Sequence, residues 1–301
     1  MITIRIPVLV AAGLMLLCQN SIAQRNFDDV SITTTDLGEN IFMLQGAGGN
    51  IGVSTGDDGV FIIDDQFAPL TEKIMEALAS LSDKPVSYVL NTHWHGDHTG
   101  GNENFGKAGA VIVAHENVRN RMSTVQFMKT FNREVPAAPE AALPVVTFSD
   151  NVNFYFNDND ISVMHMPASH TDGDSIVLFK EANVLHMGDT FFNGFFPFID
   201  HSSGGTLEGL ISTTEIVLSI VDNDTQIIPG HGPLATKADL EKYQSMLLTV
   251  QDKMQPALAS GKSRDEVLAE NPLESVGKIW GNGFMKTDVF TGILYDIAND
   301  G

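Results

Sequence analysis

The stretch "NTHWHGDHTGGN" occupies residues 91–102, with three histidines and one aspartate inside six positions and glycines after them. The run before it, "VSYVLN" at residues 86–91, is apolar and β-branched in the manner of a buried strand. The cluster therefore belongs to the loop that leaves a strand. In extended backbone, residues two apart point the same way, so His93 and His95 can converge on one cation. Gly96 lets the chain turn, after which Asp97 and His98, adjacent in sequence, diverge toward a second cation. Imidazole nitrogen and carboxylate oxygen suit zinc, which takes such donors at about 2.0–2.2 Å. One loop cannot complete two coordination shells, so more donors must come from elsewhere.

Three later loops offer them. Strand-like "ISVMHM" (residues 161–166) precedes His170, "ANVLHM" (182–187) precedes Asp189, and "TQIIP" (225–229) precedes His231. Loops at strand ends are where sites are usually built. Taken in order, His93-x-His95-x-Asp97-His98, then His170, Asp189 and His231, the set resembles the metallo-β-lactamase-fold hydrolase superfamily over roughly residues 30–242. The resemblance implies an α/β fold: an αββα sandwich of two mixed β-sheets flanked by helices. It implies two Zn2+ per chain, one held by His93, His95 and His170, the other by Asp97, His98 and His231, with Asp189 bridging. "GVFIIDDQ" (residues 59–66) is similar to the family's early strand ending in an acid, so Asp64 or Asp65 is expected to orient a ligand histidine.

The remaining pattern supports a sandwich without demanding it. Strands are expected at residues 41–45, 50–55 and 59–64, a helix at 68–81, a strand at 110–114 and a helix at 115–131. A second round follows: strands at 153–156, 161–166, 175–180 and 182–187, a helix at 207–221, a strand at 225–229 and a long helix at 237–260. Two rounds of strands, each closed by a helix, argue for two packed sheets covered by helices. Residues beyond about 263 read as a helical extension with one short helix and then weak signals. His115 is expected to start a helix, His165 and His186 to be structural, and His201 to lie on a loop near the site, with a substrate contact there as the lesser alternative.

Chemistry and charge narrow the function. Two zinc ions can share a hydroxide near neutral pH, so the expected reaction is hydrolysis of an ester, lactone, thioester, amide or phosphoester, with Asp97 moving a proton. The net charge of −21 disfavours nucleic acid and anionic headgroups as partners and suits a secreted soluble protein, and the partner expected from the hydrolase reading is a small-molecule substrate. Phe191, Phe192, Phe195, Phe196 and Phe198 fall within eight residues that carry no Lys or Arg. They read either as a buried plug or as the lining of an apolar mouth. Lactamases of this superfamily often place a Lys on this stretch and several carry Cys or Ser where this chain has Asp189, whereas a bridging Asp is similar to glyoxalase II and the metallo-lactonases. A neutral ester or lactone is therefore the expected substrate, with Arg119, Arg121 and Arg133 as the cations able to reverse that preference. The alternatives are a β-lactamase of the same fold, a non-catalytic periplasmic zinc- or ligand-binding protein, and a mononuclear iron oxygenase.

The N-terminus reads as a signal peptide over residues 1–23: Arg5, an apolar run from 6 to 18, then small residues before Gln24. The run is shorter than the roughly 20 residues a membrane span requires, so no stable membrane insertion is expected after cleavage. The product is expected to be periplasmic or secreted, with residues 24–301 as the hydrolase domain; a form anchored as a lipoprotein through Cys18 is the lesser option, disfavoured by the bulky Leu17 before it. Cys18, the only cysteine, would leave with the leader, so the mature chain has no thiolate ligand. Exported protein should therefore begin at Gln24; an intact mass that includes Cys18 would overturn this reading.

Overall fold

The computed structural model describes residues 26–299. The expected leader, with Cys18 and the expected cut before Gln24, lies outside the described residues. Among those residues no helix is long and apolar enough to cross a membrane.

Strands β1 (Thr33–Gly38), β2 (Ile41–Gln45), β3 (Ile51–Gly56) and β4 (Gly59–Ile63) form an antiparallel meander. Helix α1 (Thr71–Leu81) crosses over to β5 (Val86–Asn91), parallel to β4. Two short helices, α2 (Gly96–Thr99) and α3 (Asn102–Lys107), lead to β6 (Val111–His115). Helix α4 (Glu116–Met122) and a small hairpin, β7 (Gln126–Met128) and β8 (Arg133–Val135), precede β9 (Val146–Phe148), which lies parallel to β6 and completes a seven-stranded mixed sheet. The second sheet runs β10 (Asn151–Phe156), β11 (Asn159–His165), β12 (Ser175–Phe179) and β13 (Val184–His186), all antiparallel to their neighbours. Helix α5 (Leu207–Ile220) then returns the chain to β14 (Gln226–Ile228), parallel to β13. Four helices follow: α6 (Lys237–Ala259), α7 (Arg264–Glu270), α8 (Glu274–Trp280) and α9 (Thr287–Asn299).

Side-chain alternation stacks these elements into layers. On β4, Phe61 and Ile63 face the second sheet and pack with Ile161, Val163, Val177 and Val184. Their neighbours Val60 and Ile62 face the other way, onto Ile74 and Leu78 of α1. In the second sheet, Val184 and Ile228 face inward. Leu185 and Ile227 point outward to Leu210 and Val217 of α5 and Leu240 and Leu247 of α6. Central strands are covered on both faces, which is why "GVFII" is apolar at every position after its glycine and shows no period-two pattern. The architecture is the αββα sandwich of two mixed sheets that the sequence led us to expect.

Two expectations need correction. The helix read over 115–131 stops at Met122. Val118 and Met122 bury the only apolar stripe, and the next position on that face, Val125, is 59% exposed. With no further face to bury, the chain turns, and the Gln126 side chain ties the turn by bonding to Arg121 and Thr124. The C-terminal residues are also more ordered than expected, forming α7, α8 and α9. Asn271 in the left-handed conformation, Pro272 and the glycines at 277, 281 and 283 break their helical pattern in sequence. Their apolar faces, through Val267, Val276, Phe290 and Leu294, pack into the same core as α6.

The strand directions matter for function. β4 and β5 are parallel, and β11, β13 and β14 share one direction because two antiparallel steps separate β11 from β13. Asp64, the histidine cluster, Asp189 and His231 closely follow the C-terminal ends of β4, β5, β13 and β14, and His170 comes five residues after β11. The start of α5 presses on the His170 loop. A Cβ at Gly209 would lie 1.8 Å from the Ala168 carbonyl oxygen, and backbone there cannot step aside. Gly209→Ala is expected to destabilise the protein by about 1–3 kcal/mol, read as a lower denaturation midpoint; an unchanged midpoint would show that this contact relaxes freely.

Candidate metal centre

The loop after β5 is pinned before it reaches its histidines. The side-chain amides of Asn91 and Asn102 bond to each other reciprocally at 3.0 and 2.8 Å. The Asp64 carboxylate accepts from the Thr92 N–H and hydroxyl, both at 2.7 Å. Asp64 itself sits in the left-handed region, φ 63°, a cost that a non-glycine residue bears where it is needed. His93 and His95 lie beyond the end of β5 on a bend, and their rings stand 4.8 Å apart at 88°. Asp97 and His98 fall on α2. Gly96 was expected to provide a sharp turn, but it opens this helix without a positive φ and has free space where a Cβ would be. The helical turn, rather than glycine freedom, separates Asp97 and His98 from the first pair.

The later donors arrive as expected. The seven residues form two groups: His93, His95, His170 and Asp189, all buried, and Asp97, His98 and His231, more open to solvent. In the first, His95 Nδ1 lies 3.1 Å from His93 Nε2 and 2.9 Å from His170 Nε2. In the second, His231 Nε2 lies 3.4 Å from His98 Nε2 and 3.5 Å from Asp97 Oδ2. Asp189 stands between the groups. Its Oδ1 is 3.1 Å from His98 Nε2 and 3.3 Å from His231 Nε2, and its Oδ2 is 3.6 Å from His170 Nε2 and 3.8 Å from His93 Nε2. Oδ1 is buried without a hydrogen bond.

The outward-facing ring atoms decide what the inward ones offer. His98 Nδ1 meets the Asp64 carboxylate at 2.7 Å, His95 Nε2 meets Asp200 at 3.0 Å, and His170 Nδ1 meets the Phe198 carbonyl at 2.7 Å. A carboxylate or carbonyl only accepts, so each of these nitrogens must carry the proton. His93 Nδ1 faces the Thr92 hydroxyl at 3.1 Å, whose own proton goes to Asp64, so it too donates. In the neutral ring the opposite nitrogen is then a bare lone pair. Three such lone pairs from the first group meet within hydrogen-bonding distance with no proton left between them. Crowded lone pairs beside a buried carboxylate fit a cation, and a cation with imidazole and carboxylate preferences fits best.

Charge differs between the groups. Burial, with the neighbouring imidazoles, holds His93 well below the usual histidine range. Burial likewise brings His170 down to about 4, so these two rings are neutral and ready to coordinate at pH 7. Burial also opposes charge on His231, but Asp189 and Asp97 outweigh it and push the ring up to about 9. His98 moves up for the same reason, against its burial, through Asp189, Asp64 and Asp97. Without a cation the second group therefore keeps protons in its place, paired to acids whose own values are depressed despite burial.

Other residues fall where their chemistry suggests. Of the two acids at the end of β4, Asp64 orients His98, while Asp65 accepts from the Gly101 N–H and stays behind the loop. His115 caps α4 and stacks on His165 at 3.8 Å, and His186 is bonded on both ring nitrogens, to the Asn50 carbonyl and the Gly188 N–H. All three are structural. His201 lies next to Asp200 in a short turn and lines a hollow with Lys129 and Arg264 rather than approaching the donors. Asp200 was not foreseen. "PFIDHSSGG" carries no spacing that ties its acid to His95; only the hydroxyls of Ser202 and Ser203, both 2.6 Å from its carboxylate, mark it as a held acceptor. Asp200→Ala should lower zinc affinity by about 10–100-fold with the fold intact, as measured by competition with a chromophoric chelator; unchanged affinity would mean that Asp200 does not orient His95.

Comparisons with known proteins agree with this geometry. Hydroxyacylglutathione hydrolase from Polaromonas sp. (strain JS666) is 30% identical over 166 residues, covering 54% of this chain and 55% of that protein. The 2,4-dinitroanisole O-demethylase subunit alpha of Nocardioides sp. is 27% identical over 142 residues, 46% of this chain and 40% of that one. The chain thus spans about half the length of the curated relatives it matches. Among solved structures, the metallo-beta-lactamase DIM-1 superposes with a TM-score of 0.59 at 18% identity, over 74% of this chain and all of that one. A sec-alkyl sulfatase superposes with a TM-score of 0.67 at 15% identity, over 88% of this chain and 50% of that one. The sequence profile described as the metallo-beta-lactamase superfamily matches residues 35–244, and the chain belongs to that superfamily.

Proposed function

We propose that this protein is a secreted or periplasmic dizinc hydrolase acting on neutral esters or lactones. The observation that carries the metal reading is the convergence of bare imidazole lone pairs around a carboxylate that faces both groups. His93, His95 and His170 would hold one zinc, and Asp97, His98 and His231 the other, with one oxygen of Asp189 toward each. A cation pair bound there would supply a Lewis acid and lower the pKa of a bound water to about 7. Asp97 is the donor most open to solvent, 30% exposed at its side chain, and its Oδ2 reaches His231 at 3.5 Å. Its place at the solvent edge supports the proton-moving role, which it would fill as the carboxylate that His98 and His231 keep ionised. Phe192, stacked 5.3 Å from the His231 ring, and Phe198, 5.7 Å from His95, keep bulk water from the flanks of the site.

The neutral-substrate reading rests on where the arginines go. Arg121 is committed to a bidentate pair with Asp172 at 2.7 Å, and Arg119 bonds to the Pro144 carbonyl. Arg133 is exposed on β8, its guanidinium in contact with the Met128 sulfur. None of these three is bonded to a residue of the donor set. The net charge of −21 adds a general repulsion of anions. The Nocardioides relative is by name active on 2,4-dinitroanisole, a neutral aryl ether, which supports an uncharged substrate here.

Zinc-loaded protein is expected to carry two equivalents of metal and to turn over aryl esters or γ-lactones faster than S-lactoylglutathione or a chromogenic cephalosporin. Preferential cephalosporin cleavage would replace this reading with a β-lactamase, and stoichiometric zinc without turnover would replace it with a binding protein. Asp189→Ala should lose at least one metal equivalent and lower kcat by orders of magnitude. Full metal content and full activity in that variant would remove Asp189 from the site.

A further inference from the structure

Two chains of aromatic contacts leave the donor set. From the second group, His231 stacks on Phe192 at 5.3 Å, and Phe192 meets Phe195 edge-on at 6.0 Å. From the first group, the rings of His95 and His170 lie 5.7 and 5.6 Å from Phe198, and Phe198 lies 5.0 Å from Phe131, in the turn between β7 and β8. Both chains end on one loop, residues 281–286 between α8 and α9. A Cβ at Gly283 would fall 2.6 Å from Phe195 Cβ and Cγ, so this glycine lets the loop lie directly on that ring. The next residue, Phe284, meets Phe131 at 5.8 Å. The loop is also tethered at its start, where the Trp280 carbonyl accepts from the Phe196 N–H at 2.9 Å.

The outer ends of these chains are open. Phe131 is 39% exposed and Phe284 63%, although both are large apolar rings that water penalises. Beside them is a hollow of about 350 Å3 where Leu268, Val289 and Ile293 are mixed with the charged Lys129, Arg264 and Asp296, so the apolar surface here is the ring pair and not the hollow. Residues 281–286 lie outside residues 35–244, the part matched to the superfamily, so this wall is supplied by the chain's own C-terminal helices.

We propose that Phe131 and Phe284 form the subsite for the uncharged alkyl or aryl tail of the substrate, so that the C-terminal loop sets the chain-length preference. This rests on the hydrolase reading for its substrate class. The ring path is continuous from the donor imidazoles outward. Phe131 and Phe284 lie one and two ring contacts beyond Phe198, which is itself buried, so a tail leaving the donors would reach the pair over this packed series rather than through it. Each methylene that leaves water on this surface should raise affinity by about two- to fourfold, from the transfer free energy of a buried CH2.

The test uses zinc-loaded protein and p-nitrophenyl esters from butyryl to decanoyl. The decanoyl-to-butyryl ratio of kcat/KM should exceed one in the wild type and fall by at least tenfold in Phe284→Ala and in Phe131→Ala. Phe284→Leu should retain most of it. Binding of 2-alkanones of the same lengths, followed by calorimetry, should show the same dependence without any turnover. Ester turnover with a length ratio unaltered in both alanine variants overturns the subsite and leaves the hydrolase reading standing. Absence of ester turnover, with length-dependent 2-alkanone binding that Phe284→Ala abolishes, sustains the subsite and overturns the hydrolase reading. Length-independent ketone binding in the wild type overturns the subsite whatever the esters do.

Discussion

Five imidazoles and two carboxylates share a space a few ångströms across, mostly buried, and that burial is sustained by what lies behind them. Asp64, Asp200, Thr92 and the Phe198 carbonyl each take the proton side of one ring, which fixes the tautomer and aims the other nitrogen inward. Remove these acceptors and the same histidines become unsatisfied polar groups in an apolar interior, at a cost of about 1–3 kcal/mol each. The outward bonds are therefore as much a part of the centre as the inward lone pairs. They also explain why Asp64 holds a left-handed backbone: its two oxygens serve Thr92 and His98 at once.

The sandwich supplies the other half of the constraint. Strands from both sheets carry their C-terminal ends to one edge, and cross-loop backbone bonds lock the result. Gly49 N–H bonds to the Asp97 carbonyl, Asp65 N–H to that of His98, Asn50 N–H to that of Gly230, and Gly230 N–H to that of Gly188. Glycine is needed where these loops touch. A Cβ at Gly230 would lie 2.1 Å from Asp189 Oδ1, and one at Gly49 would lie 2.1 Å from the His98 ring. The close approach of backbone to donor side chains makes the centre compact enough for one carboxylate to face both groups.

Around this rigid centre the lining is apolar, and the phenylalanines of residues 191–198 divide between two tasks. Phe191 and Phe196 are fully buried, against Tyr243 and Phe290, and hold the segment to α6 and α9. Phe192 and Phe198 pack against donor rings, and Phe195 lies outside Phe192, against Gly283. Of the two readings the burial favours the plug: Phe191, Phe192, Phe196 and Phe198 are all buried and Phe195 is half-buried, on an irregular segment whose side chains do not alternate as they would on a strand. The C-terminal helices then matter to the site itself, since they carry the loop that faces these rings.

Much of this was legible in the residues. The order of His93, His95, Asp97, His98, His170, Asp189 and His231, each following an apolar strand, pointed to the family, the two-layer β core and the side chains that converge. Local periodicity sufficed there, because buried strands and amphipathic helices are written in contiguous residues. Folding alone decided what depends on distant neighbours. Nothing near Asp200 names His95, 105 positions away in sequence, and nothing near Phe284 names Phe131. The helix expected to run to residue 131 ended at Met122 because no partner surface exists for its next turn, and the last three helices formed because one does. Short helices carry too little intrinsic stability to be read from propensity, and it is tertiary burial that selects them.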